Sequence, residues 1–208
     1  MNQYKSRLLI PTGLFKPSKL GGPSKTLYWL AKGLVSKGFA VSVVTSNNHI
    51  EAGLIEVNKW VTIDNIRIRY CNATNKLGFK IIWHSIKELK FCNAVLLSSF
   101  FFIPSFIIAL FAILKSKKVI WSPRGELFSS AINNSKTKLL YIKLIKCFCS
   151  KKVVFHATST NERIEIKRHL GITVKTVVIP NYMELPKKQE REQVPNNYFL
   201  YVGRIEPI

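Results

Sequence analysis

Acidic residues are scarce in this sequence. Eleven Asp and Glu stand against 32 Lys and Arg, a formal net charge of +21 over 208 residues. None precedes Glu51 and none lies between Leu127 and Asn161. Such a surface calls for an anionic partner, whether nucleic acid, acidic headgroups or phosphorylated substrates, and it says nothing about fold. Cysteine is scarce too. Cys71, Cys92, Cys147 and Cys149 make no CxxC pattern, and the apolar part of MNQYKSRLLIP is too short for a secretory signal. That argues against a disulfide framework and for structural thiols in the cytoplasm. Metal-ligand spacing and any Ser-His-Asp arrangement are missing; His49, His84 and His169 lack partners, and His156, inside an apolar run, reads as a core histidine. Neither GxGxxG nor GxxxxGK[ST] occurs, so dinucleotide and Walker-type phosphate loops are excluded.

What is present is a folded composition, 47% hydrophobic and 21% charged, enough for one substantial core and the start of a second. The chain is organised around Leu8 to Ser46. An apolar run, Leu8 to Pro11, leads through a loop to Gly21 and Gly22. Pro23 follows and suits the first helical position. Leu27, Leu30, Ala31 and Leu34 fall on one helical face, Gly38 supplies a left-handed stop, and Ala40 to Thr45 is a buried-type strand. This is a βαβ unit, the opening of a doubly wound parallel sheet. Glycines at 21 and 22 let a ligand approach the backbone at a helix N-terminus, where N–H groups and the dipole favour phosphate or a sugar hydroxyl. A tight turn packed on the sheet would need the same residues, and the pair alone does not separate the two readings.

Further along, Trp60 to Ile63 and Ile66 to Tyr70 read as short strands about an Asp64-Asn65 turn, and Leu77 to Leu89 as a helix. Ala94 to Leu114 holds no charge and approaches the about 20 residues that cross a bilayer. Ala94 to Ser98, however, has the size of a buried strand, and Pro104 interrupts a continuous helix. The expected order is strand, loop, buried helix. Val119 to Trp121 is a strand leading into Ser122-Pro123-Arg124-Gly125-Glu126-Leu127. Arg124 offers a fork for phosphate or carboxylate and Glu126 an acceptor for sugar hydroxyls, at the strand end where open α/β sheets bind ligands. An internal Arg–Glu pair shaping the loop is the other reading.

Lys136 to Ser150 is expected as a helix, with Lys136, Lys143 and Lys146 on one stripe and Leu140, Leu144 and Cys147 on another. A solvated face explains this pattern, and so does contact with an anionic membrane. Val153 to Ala157 is a buried-type strand; Ser159 to Glu162 then resembles a capping box opening a helix over Glu162 to His169. Thr176 to Pro180 precedes Asn181-Tyr182-Met183, Glu184 to Asn197 has linker composition, and Phe199 to Val202 with Gly203-Arg204 opens another strand and loop.

Four segments in this order, GGPSKTLYWLAKGLVSKGFAVSVVTS, SPRGEL, TVVIPNYM and FLYVGRIEPI, resemble retaining glycosyltransferases of family 4 with the GT-B fold. Tyr182 replaces the glycine usual after Asn181, and Glu184 stands near the usual Asp. The resemblance implies an α/β, Rossmann-like doubly wound N-terminal half of a GT-B fold over residues 1–183, a linker over 184–197, and over 198–208 the start of a truncated donor-binding domain. It implies transfer of a sugar from a nucleotide-sugar co-substrate to a glycan or lipid-linked acceptor in polysaccharide biosynthesis, without cofactor or bound metal. Gly21, Gly22, Arg124 and Glu126 then fall to the acceptor side and Arg204 to the donor phosphate; no catalytic residue is assigned. The Lys and glutamate pair expected beyond Arg204 are not in the sequence, so the isolated chain is expected to transfer sugar poorly or not at all. The implied place is the cytoplasm, with peripheral attachment at the inner face of the membrane. The competing class is a basic protein that binds nucleic acid or anionic membrane without catalysis. Dispersed basic residues and the absence of RRM, KH or zinc motifs count against nucleic acid.

Overall fold

The computed structural model describes residues 6–18, 20–72, 78–133 and 135–183. In chain order the elements are β1 (Ser6–Pro11), α1 (Gly21–Ser36), β2 (Phe39–Ser46), β3 (Trp60–Ile63), β4 (Ile66–Cys71), α2 (Phe79–Glu88), β5 (Ala94–Ser98), α3 (Ile103–Leu114), β6 (Lys118–Ser122), α4 (Ser129–Ile132), α5 (Lys136–Phe148), β7 (Val153–Ala157), α6 (Thr160–Leu170) and β8 (Lys175–Val178). The strands form one eight-stranded sheet, β3-β4-β2-β1-β5-β6-β7-β8. All neighbours are parallel except β3 and β4. Asp64 and Asn65 turn that hairpin with φ of 51° and 60°, the two left-handed residues of a type I′ turn.

The chain runs outward from β1 to β2 and β4, then returns to the other side of β1 at β5. This is a doubly wound sheet whose order reverses between β1 and β5. α1 covers one face, packing Leu27 and Ala31 over Leu8, Ile10, Val41, Val43, Ile66 and Ile68. The opposite face carries the larger core, where Leu9, Val95, Leu97, Val119, Trp121, Val153 and Phe155 meet α2, α3, α5 and α6. Alternating strand residues thus feed two cores, which is why these runs are apolar throughout and do not alternate with polar residues.

The charge-free stretch divides as strand and helix, with Pro104 in the first turn of α3, where its missing N–H costs nothing. Among the described residues no helix is long and apolar enough to cross a membrane. Some boundaries differ from the sequence reading. α1 begins at Gly21, so Pro23 stands third and not first, still among the orphan donors of the first turn. α6 opens at Thr160 after an Ser159 cap. The short α4 carries no periodicity and is not foreseeable. Pro180 lies outside β8, and Leu77, the linker and the start of the proposed second domain (184–197 and 198–208) lie outside the described residues. In α5 the buried side is Ile142 and Ile145; Leu140, Leu144 and Cys147 face solvent with the lysines.

Candidate functional site at the carboxyl ends of the strands

Arg124 follows β6 and adopts φ of 53°, with Gly125 at 83°. An arginine is rare in that region, and a backbone held there is tied down by its surroundings. Here three neighbours do so. Arg124 Nε donates to Ser98 Oγ at the end of β5 (2.9 Å), and its Nη1 donates to Asn181 Oδ1 beyond β8 (3.0 Å). The Gly125 N–H donates to Glu162 Oε1 from α6 (2.7 Å). Burial lowers the pKa of Arg124 from its usual high value, and the charge of Glu162 opposes that shift. Glu162 is 1% exposed, and its Oε2 also accepts from the Thr158 N–H (2.6 Å) and hydroxyl (2.7 Å). The capping box is therefore only half present. Ser159 Oγ accepts from the Glu162 N–H at 3.2 Å, but the glutamate reaches across to another loop as well as back along its own chain.

Glu126 is committed in the same way. Its Oε1 accepts from Ser99 Oγ (2.7 Å), and its Oε2 accepts from the N–H groups of Phe100 and of Phe101, the latter at 2.9 Å. Ser99 has φ of 79°, and its carbonyl accepts from the Trp121 indole N–H (3.0 Å). Arg124 and Glu126 make no pair with each other among these contacts. Both tie the loop after β6 to the end of β5, Arg124 also reaches the segment after β8, and Glu162 adds the link to β7, so the loops after β5, β6, β7 and β8 form one hydrogen-bonded rim.

On the other side of the switch point the loop after β1 is fixed at its base. Ser46 Oγ donates to the Gly13 carbonyl and Tyr70 Oη to the Lys16 carbonyl, both at 2.6 Å, and Phe15 is fully buried. At its tip α1 starts after Leu20 with no side-chain cap and no acid in its first turn. A Cβ placed on Gly22 meets nothing within 4 Å. The glycine at 22 is not demanded by the packing of this chain, so the tight-turn reading lacks a steric basis there.

A cavity of about 220 Å³ runs along the sheet face beside α1, lined by Thr26, Leu30 and Leu34 of α1 and, among residues near the strand ends, by Arg124 and Asn181; Gly21 and Gly22 are not part of its lining. Its floor is the sheet face at Leu96, Ile120, Val154 and His156. His156 is buried, with Nε2 2.7 Å from the Ile179 carbonyl, as a core histidine should be. Arg124 thus shares a cavity with Thr26 and Leu30 of α1, while Glu126 is taken up by the loop after β5. Arg204 lies outside the described residues. Among the described residues no group of His, Cys, Asp or Glu is placed to hold a metal ion. Ser98, Asn181 and the cross-loop reach of Glu162 were not singled out in the sequence, because the signal for each is a contact with a distant segment.

The sequence profile of Glycosyltransferase Family 4 matches residues 20–185. No curated protein matches the chain. Among solved structures it is similar to sucrose-phosphate synthase from Thermosynechococcus elongatus, with 12% identity, TM-score 0.54, and 85% of this chain aligned with 48% of that one. It is also similar to Anabaena Alr3699/HepE, solved in complex with UDP-glucose, with 16% identity, TM-score 0.57, and 86% of this chain aligned with 44% of that one. The chain therefore spans about half the length of these structures, and the likeness establishes the fold.

Proposed function

The chain belongs to glycosyltransferase family 4, and from that premise we propose that it supplies the acceptor side of a retaining hexosyltransferase. The reaction moves a sugar from a nucleotide-sugar to a glycan or lipid-linked acceptor in polysaccharide biosynthesis, on the cytoplasmic side of a membrane. The observation that carries this reading is the place of Arg124, just beyond the carboxyl end of β6 and held there by Ser98 and Asn181. An open α/β sheet binds its ligand at that place. The titled ligand of Alr3699/HepE, UDP-glucose, supports a nucleotide-sugar as donor.

In this reading the uncapped start of α1 at Gly21 and Gly22 presents backbone N–H groups and the positive end of its dipole to the oxygens of donor phosphate and acceptor. Arg124 is held by Ser98 and Asn181 in one orientation, so its charge meets the incoming sugar phosphate without reorganisation. Glu126 positions the acceptor through the backbone at Phe100 and Phe101, which it anchors. Arg204 contributes to the donor phosphate. Fixed N–H dipoles and guanidinium groups stabilise the leaving diphosphate, and no cofactor beyond the nucleotide-sugar is assigned.

The test is transfer of labelled sugar from a panel of nucleotide-sugars, measured with the protein as isolated from its host cell. Arg124→Ala should lower kcat/KM by about 100-fold or more, the scale of losing a preorganised charge-stabilising donor. NMR of the product should show the donor's anomeric configuration kept. Transfer by Arg124→Ala at the unmodified rate would remove Arg124 from the site, and an inverted product would remove the retaining mechanism.

A further inference from the structure

Beyond β8 the chain lines the cavity beside α1 with Ile179, Pro180, Asn181 and Tyr182. Two anchors hold this segment apart from its bond to Arg124. At its start Ile179 is tied to β7: its N–H donates to the Ala157 carbonyl (2.9 Å), and its own carbonyl lies 2.7 Å from His156 Nε2. At its end the ring of Tyr182 lies against Gly33 of α1, where a Cβ would stand 3.3 Å and 3.4 Å from two ring carbons. Glycine is unfavourable inside a helix, and at position 33 it makes the seat for this ring. Tyr182 is 47% exposed, so the contact is a clasp at the surface and belongs to neither core. A glycine at 182 could make no such contact.

Asn181 stands between these anchors, and it is one of two residues that set the plane of the Arg124 guanidinium. Arg124 forms no ion pair among the described residues. Its partners are neutral: Ser98 Oγ at Nε and Asn181 Oδ1 at Nη1. Ser98 is the last residue of β5 and is fixed by the sheet, whereas Asn181 lies outside any strand. Holding such a residue in one conformation costs backbone entropy, so its grip on Arg124 is only as firm as the contacts on either side of it. We propose that Tyr182 is a positioning residue: its ring, seated on Gly33, fixes Asn181, and Asn181 fixes the guanidinium. Through this clasp α1 and the loop after β6 are held to each other without touching directly. The consequence for ligand binding rests on the reading of Arg124 given above, but the orientation of Arg124 is measurable with no ligand present, so either idea can fail alone.

The test is NMR of the 208-residue chain, following the guanidinium signals of Arg124, assigned by their loss in Arg124→Ala. In the parent the Nη signals should be resolved at low temperature, because the bond to Asn181 slows rotation about Nε–Cζ. Tyr182→Gly should merge them, as Asn181→Ala does, while Tyr182→Phe, which keeps the ring, should leave them resolved. Amide signals of the two cores should stay where they are in the parent, which separates a loosened guanidinium from a lost fold. Glucose 1-phosphate, titrated into the same samples, should bind about fivefold or more weakly to Tyr182→Gly, the scale of leaving one residue's backbone unfixed, and as in the parent to Tyr182→Phe. Resolved Nη signals or undiminished affinity in Tyr182→Gly, or merged signals in Tyr182→Phe, would overturn the proposal. The predicted Nη pattern in a parent that binds no glucose 1-phosphate would uphold the clasp and remove the phosphate reading of Arg124.

Discussion

The two sides of the sheet's carboxyl edge are built on opposite plans. After β5, β6, β7 and β8 the loops are locked together by Glu126, Glu162 and Arg124, and two non-glycine residues, Ser99 and Arg124, are held at positive φ. After β1 the loop is held through the Gly13 and Lys16 carbonyls and by Ser24 Oγ donating to the Ser18 carbonyl, and at Gly22 it opens on empty space at a helix end without a side-chain cap. The locked side can fix a charge in one orientation. The open side can let a ligand touch backbone. A site for phosphorylated sugars needs both, because a preorganised charge gains nothing if a side chain bars the approach.

Mutations should therefore separate stability from ligand handling by side. Glu162→Ala strands the Gly125 and Thr158 donors in a buried place and should cost about 3–5 kcal/mol, read as a lower urea midpoint with an unchanged slope. A loss under about 1 kcal/mol would show that the loops are not interdependent. Glu126→Gln keeps an oxygen for the Phe100 and Phe101 N–H groups and loses the charge, so the expected cost is about 1 kcal/mol in the same measurement. Gly22→Ala should leave stability unchanged or raise it by up to about 1 kcal/mol, since no neighbour is met and a helix position gains alanine. In the sugar-transfer assay it should nevertheless weaken transfer. Destabilisation by Gly22→Ala would mean that the tip is as tightly packed as the opposite side.

The fold was legible where one element decides its own state. The spacing of Leu27, Ala31 and Leu34, the run from Val153 to Ala157 and the place of Pro104 each follow from periodicity or backbone chemistry. The inward face of α5 was not, because leucine and isoleucine occur on both of its sides and only the neighbours choose between them. The candidate site was half legible. Arg124 and the glycine pair carry a local pattern, while the commitment of Glu126 to the β5 loop and of Glu162 to Gly125 joins segments far apart in sequence. A single side chain read alone gives its capacity to accept, and the fold alone gives the donor.

The central claim is that the rim formed by the start of α1 and the loop of Arg124 receives a sugar phosphate. Titrating the isotopically labelled chain with sugar phosphates and following amide shifts by NMR tests it most directly. The account predicts saturable shifts that cluster at Gly21, Gly22, Arg124, Gly125 and Asn181 and that vanish in Arg124→Ala while its fold is kept. Shifts confined to the opposite end of the strands, or none at these residues with any sugar phosphate, would contradict it.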